Sequence, residues 1–220
     1  MSDNDQLPEG YTSLHPGLEL QRFYNWKDHF PFLQKILDST DVILEEMKGI
    51  DGWVLWPEPL YDENKGEMLT VFPFLHTIPG NDPSKARWVP STSKKCPKTT
   101  EILKEVPGIL TALFSNMGPN TVMKGHQGWA PLANYTLRCH IPIFIPQPNT
   151  SGLWCDGLVR FHTPGDIVVF DENITHSGFN KGKYNRCVLI VDIQRPKDIA
   201  PGISSVSSTT ELQAIIDHFG

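Results

Sequence analysis

The middle of the chain alternates between apolar and polar positions, which is typical of β-strands because successive strand side chains point to opposite faces. Such runs predict strands over residues 69–74, 111–117, 135–145, 158–161, 167–170 and 187–193. Glycine, proline and asparagine separate the runs. Many short strands without intervening helices favour a sandwich or jelly roll.

Helical patterns flank these strands. Apolar side chains recur at helical spacing at Phe30, Leu33, Ile36 and Leu37, and again over residues 42–47. Pro97 predicts the start of a helix over residues 98–106. Ser208 and Glu211 have capping-box spacing, which predicts a C-terminal helix over residues 208–220. We therefore predict one mainly β domain over residues 1–220, with flanking helices and an irregular lead-in over residues 1–25.

The run over residues 135–145 separates its side chains into two faces. Leu137, Cys139 and Ile141 share one face, and Arg138 and His140 share the other. A polar face on an antiparallel strand is commonly solvated. The alternation therefore leaves open whether Arg138 and His140 meet water or line a site.

Composition narrows the class of protein. Hydrophobic residues make up 39% and charged residues 20% of the chain, which is typical of a folded globule. The formal net charge is −6 and no cluster of lysine and arginine appears, so we expect no nucleic-acid partner. The 19 prolines and 17 glycines indicate many turns, which favours β architecture.

Sequence features also suggest a compartment. No apolar run reaches the ~20 residues that span a bilayer, and the polar, acidic start differs from a signal peptide. The four cysteines lack zinc-site spacing, so buried free thiols are expected: Cys96, Cys139, Cys155 and Cys187. We predict a cytoplasmic protein with no membrane partner.

Two histidines are candidate metal ligands. His126 and His176 each follow a predicted strand, and Arg186 begins the strand after His176. Non-haem iron oxygenases hold iron with two imidazoles and one carboxylate, and a guanidinium can bind a keto-acid carboxylate in two-pronged fashion. Gly128 stands where that carboxylate would be. By spacing alone, buried structural or surface histidines remain the stronger interpretation.

An ordered set of short motifs changes that balance. The stretch from about residue 97 to 196 resembles the catalytic domain of the aspartyl/asparaginyl β-hydroxylase family. The motifs that carry the resemblance are Cys96-Pro97-Lys98-Thr99, Ser115-Asn116-Met117, His126-Gln127-Gly128, Leu137-Arg138-Cys139-His140, Gly165 through Asp171, His176, Arg186 and Val191-Asp192 with Pro196.

The resemblance implies a double-stranded β-helix, iron(II) and the cosubstrate 2-oxoglutarate. It implies that only His126 and His176 bind the metal and that Gly128 matches a His-x-Gly motif. It also implies that four residues line the cosubstrate pocket or bind the cosubstrate: Ser115, Arg138, His140 and Arg186. Asp171 is a candidate acid beside the ligands, with a turn cap as the equal alternative.

The implied reaction is hydroxylation of an unactivated carbon by O2, with the β-carbon of an amino acid as the expected position. The amino acid could be free, peptidyl or part of a natural-product precursor. Segments around Trp129 and Trp154 depart from the family and are candidate substrate contacts, although packing is the commoner role of an aromatic. The alternatives are a non-catalytic jelly-roll binding module and a redox-neutral jelly-roll metalloenzyme.

Overall fold

Two antiparallel sheets contain all of the strands in the described part of the chain. The computed structural model of the chain describes residues 7–18, 20–60, 69–77 and 82–211. The strands are β1 (Phe23–Tyr24), β2 (Val54–Leu55), β3 (Leu69–His76), β4 (Arg87–Trp88), β5 (Ile109–Met117), β6 (Thr121–Val122), β7 (Thr136–Phe144), β8 (Ser151–Cys155), β9 (Leu158–Phe161), β10 (Val168–Phe170), β11 (His176–Asn180) and β12 (Arg186–Gln194). The large sheet has the order β1-β10-β7-β12-β5-β3-β2, with β4 beside β3, and the small sheet has the order β6-β11-β8-β9.

Short helices accompany the sheets. They are α1 (Trp26–His29), α2 (Gln34–Asp38), α3 (Thr40–Lys48), α4 (Pro90–Lys95), α5 (Pro97–Lys104) and α6 (Ala130–Ala133), with 3-10 turns over Pro31–Leu33 and Pro83–Lys85. Proline occupies the first turn of α4, α5 and α6, where its missing N–H costs nothing. Among the described residues, no helix is long and apolar enough to cross a bilayer.

The mainly β prediction is confirmed, and each predicted strand matches an observed one within two residues. The two-residue strands β1, β2, β4 and β6 were not predicted, and the longer strands β8 and β11 were missed. Both are five residues long, contain a glycine and lack a run of branched side chains, so local propensity gives little strand signal. The predicted helix before the strands is divided by the 3-10 turn that Pro31 begins. Of the predicted C-terminal helix, residues 210 and 211 are helical and residues 212–220 lie outside the described residues.

The large sheet buries both of its faces against different partners. One face carries Phe72, Phe114, Leu137 and Leu189, which are at most 1% exposed and belong to the main core with the helices. The opposite face contributes the side chains that line a cavity of about 500 Å³, together with side chains from the small sheet. The face shared by Arg138 and His140 is this cavity face, so the strand's polar side lines a cavity. The four cysteines are free and buried, as predicted.

Residues 7–18 and 20–22, which precede the short strand β1, form no helix or strand and are held in place by a buried carboxylate. Asp156 accepts hydrogen bonds from Ser13 Oγ (2.7 Å), the Leu14 amide (2.8 Å), Tyr11 Oη (3.0 Å) and Arg22 Nη2 (2.6 Å). Its side chain is 0% exposed and that of Arg22 is 10% exposed. Burial by itself raises the pKa of Asp156, but these donors outweigh it and hold the pKa below its ordinary value.

We expect Asp156→Asn to destabilise the protein by about 3–5 kcal/mol, because the buried Arg22 guanidinium loses its counter-charge. Asparagine tolerates the positive φ of 35° at this position, so backbone strain adds little. The folded-state pKa is lowered, so the stabilisation is present above the unfolded value of 3.8 and is lost as the pH falls through the folded-state value. Urea unfolding at pH 7 and in acid measures both effects.

Asp51→Asn is the matched control. Asp51 pairs with Lys95 at 2.5 Å, but its side chain is 88% exposed, so its loss should leave the urea midpoint nearly unchanged. Equal midpoints for the two variants at pH 7 would contradict the role given to Asp156.

Candidate metal and cosubstrate site

His126 and His176 both line the cavity and pair with each other through their backbones. The His126 amide donates to the His176 carbonyl (3.0 Å), and the His176 amide donates to the His126 carbonyl (2.9 Å). Their ring centroids are 4.4 Å apart. Strand β11 begins at His176 and pairs with β6, so the small sheet brings the two residues together although they are distant in sequence.

Both imidazoles are fixed by the same local contact. His126 Nδ1 lies 2.8 Å from the Lys124 carbonyl, and His176 Nδ1 lies 2.8 Å from the Ile174 carbonyl. A carbonyl only accepts, so Nδ1 carries the proton and Nε2 keeps a lone pair. Burial lowers the pKa of both rings, and the neighbouring His126 lowers that of His176 further. Two neutral imidazoles with free Nε2 atoms are a donor set that fits iron(II).

A carboxylate lies beside this pair at Gly128. A Cβ at Gly128 would lie 2.9 Å from Glu172 Oε2 and 2.9 Å from Ala133 Cβ. Glu172 is 1% exposed and lines the cavity, and burial raises the pKa of its carboxyl group. Among the described residues, no group of three or more histidine, cysteine, aspartate or glutamate side chains has metal-binding geometry. Gly128 stands where the motif of other iron oxygenases has a carboxylate, and Glu172 and Ala133 occupy the space that such a side chain would need.

Arg138 is already paired with two carboxylates. Its guanidinium binds Asp192 through two hydrogen bonds (2.7 and 2.8 Å) and Glu172 Oε2 at 2.7 Å. Burial by itself lowers the pKa of Arg138, but the two carboxylates reverse this and raise it. Asp171, in contrast, does not line the cavity: it binds Arg195 at 2.6 and 2.7 Å. It also accepts from Asn173 within its turn, which is the turn-cap alternative.

Arg186 is a buried cation without a carboxylate partner among the described residues. Its Nη1 donates to the Ser115 carbonyl (2.8 Å) and to Ser115 Oγ (3.2 Å), while Nε has no partner. Burial lowers the pKa of Arg186 to about 10. A guanidinium that is 3% exposed and lines a cavity is suited to receive a carboxylate there.

A second histidine pair lies near Arg186. His140 lines the cavity, and its Nδ1 lies 3.2 Å from Nε2 of His162. Burial lowers the pKa of both rings well below the ordinary value, and the nearby Arg186 lowers them further. Both histidines are therefore neutral, and the buried Nδ1 of His162 has no partner.

Of the two candidate substrate tryptophans, the structure places one on the cavity. Trp129 lines it and stacks on Trp56, with ring centroids 6.2 Å apart. Trp154 does not line it, whereas its neighbour Leu153 does. Side chains alternate along β8, so these two adjacent residues face opposite ways.

Comparison with known proteins is consistent with this arrangement. The family model described as aspartyl/asparaginyl beta-hydroxylase matches residues 58–196, which is more than half of the chain. The chain belongs to the aspartyl/asparaginyl β-hydroxylase family. The predicted resemblance is thus confirmed, and the matched range contains all ten candidate site residues.

Individual members of the aspartyl/asparaginyl β-hydroxylase family are similar over part of their length. The ornithine lipid ester-linked acyl 2-hydroxylase of Rhizobium tropici is 33% identical over 104 residues, which are 47% of this chain and 36% of that protein. The human aspartyl/asparaginyl beta-hydroxylase is 26% identical over 193 residues, which are 86% of this chain and 22% of that protein. A crystal structure of a 2OG-Fe(II) oxygenase family oxidoreductase from Burkholderia pseudomallei has a TM-score of 0.49 at 12% identity, covering 74% of this chain and 80% of that one.

Three cavity-lining or paired residues were missed by the sequence analysis. Glu172 is adjacent to the chosen Asp171, and nothing in a turn sequence tells which of two neighbouring acids faces a cavity. Asp192 was named only as part of a family motif, and its role could have been found, because it is the one acidic residue in the apolar run of β12, on the face of Ile190. Glu58 precedes the predicted strands and carries no periodic signal.

We expect Gly128→Ala to destabilise the protein by about 1–3 kcal/mol, because the new methyl group must displace Ala133 or the ion-paired Glu172. Gly125→Ala is the matched control in the same loop, since its Cβ would meet only Thr175 Cγ2 at 3.4 Å, an ordinary contact. Thermal unfolding of both variants measures the difference. A Gly128→Ala variant as stable as Gly125→Ala would show that the space beside Glu172 is open.

Proposed function

We propose that the protein is an iron(II)- and 2-oxoglutarate-dependent dioxygenase that hydroxylates an unactivated carbon, with the β-carbon of an amino acid as the expected position. The observation that carries the proposal is the cavity shared by two neutral histidines and the unpaired Arg186 cation. A redox-neutral metalloenzyme needs no keto-acid cosubstrate, so it would need Arg186 only for an anionic substrate. The two facing sheets around the cavity support the double-stranded β-helix prediction.

His126 and His176 are the residues that would hold iron(II), through their Nε2 atoms. Bound iron, with 2-oxoglutarate and O2, supplies the oxidation of a C–H bond that no side chain can attack. Glu172 would accept a hydrogen bond beside the metal, and Arg138 keeps its carboxylate in place. The backbone bonds between the two histidines fix the spacing of the donors before any metal binds.

Arg186 and Ser115 would bind the distal carboxylate of 2-oxoglutarate. The Nε of Arg186 is free to donate, and Nη1 is already oriented by Ser115. His140, neutral and between this end and the metal ligands, would line the path of the cosubstrate. Arg138 also lines the cavity, but its two carboxylate partners assign it to positioning Glu172 rather than to binding a third anion.

The named relatives act on different substrate classes. One is named as a lipid acyl 2-hydroxylase and another as an aspartyl/asparaginyl hydroxylase, and this chain covers about a third or less of each. A free, peptidyl or natural-product amino acid fits the cavity volume of about 500 Å³. Turnover measurements test the rival, a non-catalytic binding module, since such a module would release no succinate.

We expect the protein to bind one iron(II) per chain under anaerobic conditions and to show a weak visible absorption band with 2-oxoglutarate. His176→Ala should abolish both, because one imidazole and water bind iron far more weakly than a preorganised pair. His29→Ala, a half-buried histidine on α1, is the control and should keep both. A band of unchanged strength in His176→Ala would contradict the ligand assignment.

Arg186→Lys should weaken 2-oxoglutarate binding about tenfold or more, although the charge is kept. An ammonium is a point donor and cannot replace a two-pronged guanidinium, and a hydrogen bond to a charged group contributes about 1.5–3 kcal/mol. Calorimetric titration of the metal-loaded protein with 2-oxoglutarate measures the affinity. Arg87→Lys, an exposed arginine on β4, should bind like the parent, and equal affinity in Arg186→Lys would refute the assignment.

A further inference from the structure

The cavity has a second unbalanced charge, on the side of Trp129. Glu58 is 8% exposed, and one of its oxygens, Oε1, accepts hydrogen bonds from Thr209 Oγ1 (2.8 Å) and Trp129 Nε1 (3.3 Å). Both donors are neutral. No lysine or arginine pairs with Glu58 in the part of the chain that the structure describes, so no described cation compensates its negative charge.

An uncompensated buried carboxylate is costly, because burial removes it from water without a cation to replace the hydration. The other buried carboxylates of the cavity region each contact a cation: Asp192 and Glu172 share Arg138. Glu58 lines the cavity, and its second oxygen, Oε2, accepts no hydrogen bond from the described residues. This is the counterpart of Arg186, whose uncompensated charge is positive.

One segment of the cavity wall connects the surroundings of the two charges. Near Arg186, a Cβ at Gly178 would lie 3.2 Å from Met123 Sδ and 3.9 Å from Arg186 Nη2. From Met123 the chain passes His126 and reaches Trp129, which bonds Glu58. His126 therefore belongs to the same wall segment as the residues that contact each charge.

Two indoles extend the negative end. Trp56 and Trp129 stack with an interplanar angle of 18°, and both line the cavity beside Glu58. The face of an indole attracts cations more strongly than that of other aromatic rings. Glu211, which also lines the cavity, adds a further negative charge at this end.

We propose that the substrate carries a cationic group, an ammonium or guanidinium, which binds Glu58 Oε2 against the Trp56–Trp129 stack. The inference rests on the proposed function, in which 2-oxoglutarate occupies the Arg186 end and leaves the Glu58 end to the substrate. The cation anchors the substrate at one end of the cavity and places its reacting carbon toward His126 and His176. Neutral and acidic substrates lack that anchor and are disfavoured.

Calorimetric titration with n-hexylammonium and with hexan-1-ol tests the proposal, because the two probes share a chain and differ in charge. The metal-loaded protein is titrated anaerobically with 2-oxoglutarate present. We expect the ammonium to bind about tenfold or more tightly than the alcohol. Glu58→Gln, which keeps an acceptor for Trp129 and Thr209, should remove the preference and leave the affinity for the alcohol unchanged.

Glu101→Gln is the control, since Glu101 is an exposed carboxylate on α5 and its loss should preserve the preference. Equal affinity of the parent for the two probes overturns the proposal, and so does a preference that survives in Glu58→Gln. If Glu58→Gln does not fold, the comparison of the two probes on the parent still decides.

Repeating the titrations without metal or cosubstrate separates this inference from the proposed function. If the metal-loaded protein does not bind 2-oxoglutarate while the probes still show the ammonium preference without metal or cosubstrate, the oxygenase assignment is refuted and the cation site stands. Intact 2-oxoglutarate binding without an ammonium preference would refute the cation site alone.

Discussion

The reciprocal backbone hydrogen bonds between His126 and His176 are the constraint on which the site depends. They join the end of one loop to the start of β11, and each histidine then bonds its Nδ1 to the carbonyl two residues before it. The main chain, rather than a set of other side chains, therefore sets both the spacing and the tautomer of the rings. A site built on sheet backbone is more rigid than one built on loop side chains.

The pairing of charged side chains explains how one cavity can present a positive charge at one place and a negative charge at another. Arg138 is held by Asp192 and Glu172, so this group is structural and fixes the wall near His126 and His176. Arg186 and Glu58 have no ion-pair partner among the residues that the structure describes. Buried charges in a low-dielectric interior attract opposite charges strongly, so an unbalanced one marks a place where a ligand completes the pairing.

Periodic patterns in the sequence predicted the long strands, whereas features that depend on tertiary contacts were missed. Strands such as β7 and β12 could be predicted because their apolar or alternating runs extend over nine residues. In β7 the alternation also placed Arg138 and His140 on one face. The five residues of β11 contain Gly178 and gain strand geometry only by pairing with β8 and β6. Which of two adjacent residues faces the cavity, Asp171 or Glu172, depends on the turn that orients them. The sequence pattern does not reveal it.

Gly128 shows how the two kinds of information combine. The family motif identifies a glycine where a metal-binding carboxylate stands in other iron oxygenases, and the structure shows why no side chain fits there. Glu172 approaches the same space from the neighbouring segment. Its carboxylate is held by Arg138, and its backbone carbonyl accepts a hydrogen bond from the Gly128 amide (2.7 Å). A carboxylate held by an arginine is less available as a ligand than a free one, because metal binding would have to break the ion pair. The glycine and the ion pair together thus keep a carboxylate beside the histidines, in an arrangement compatible with the proposed coordination by two imidazoles.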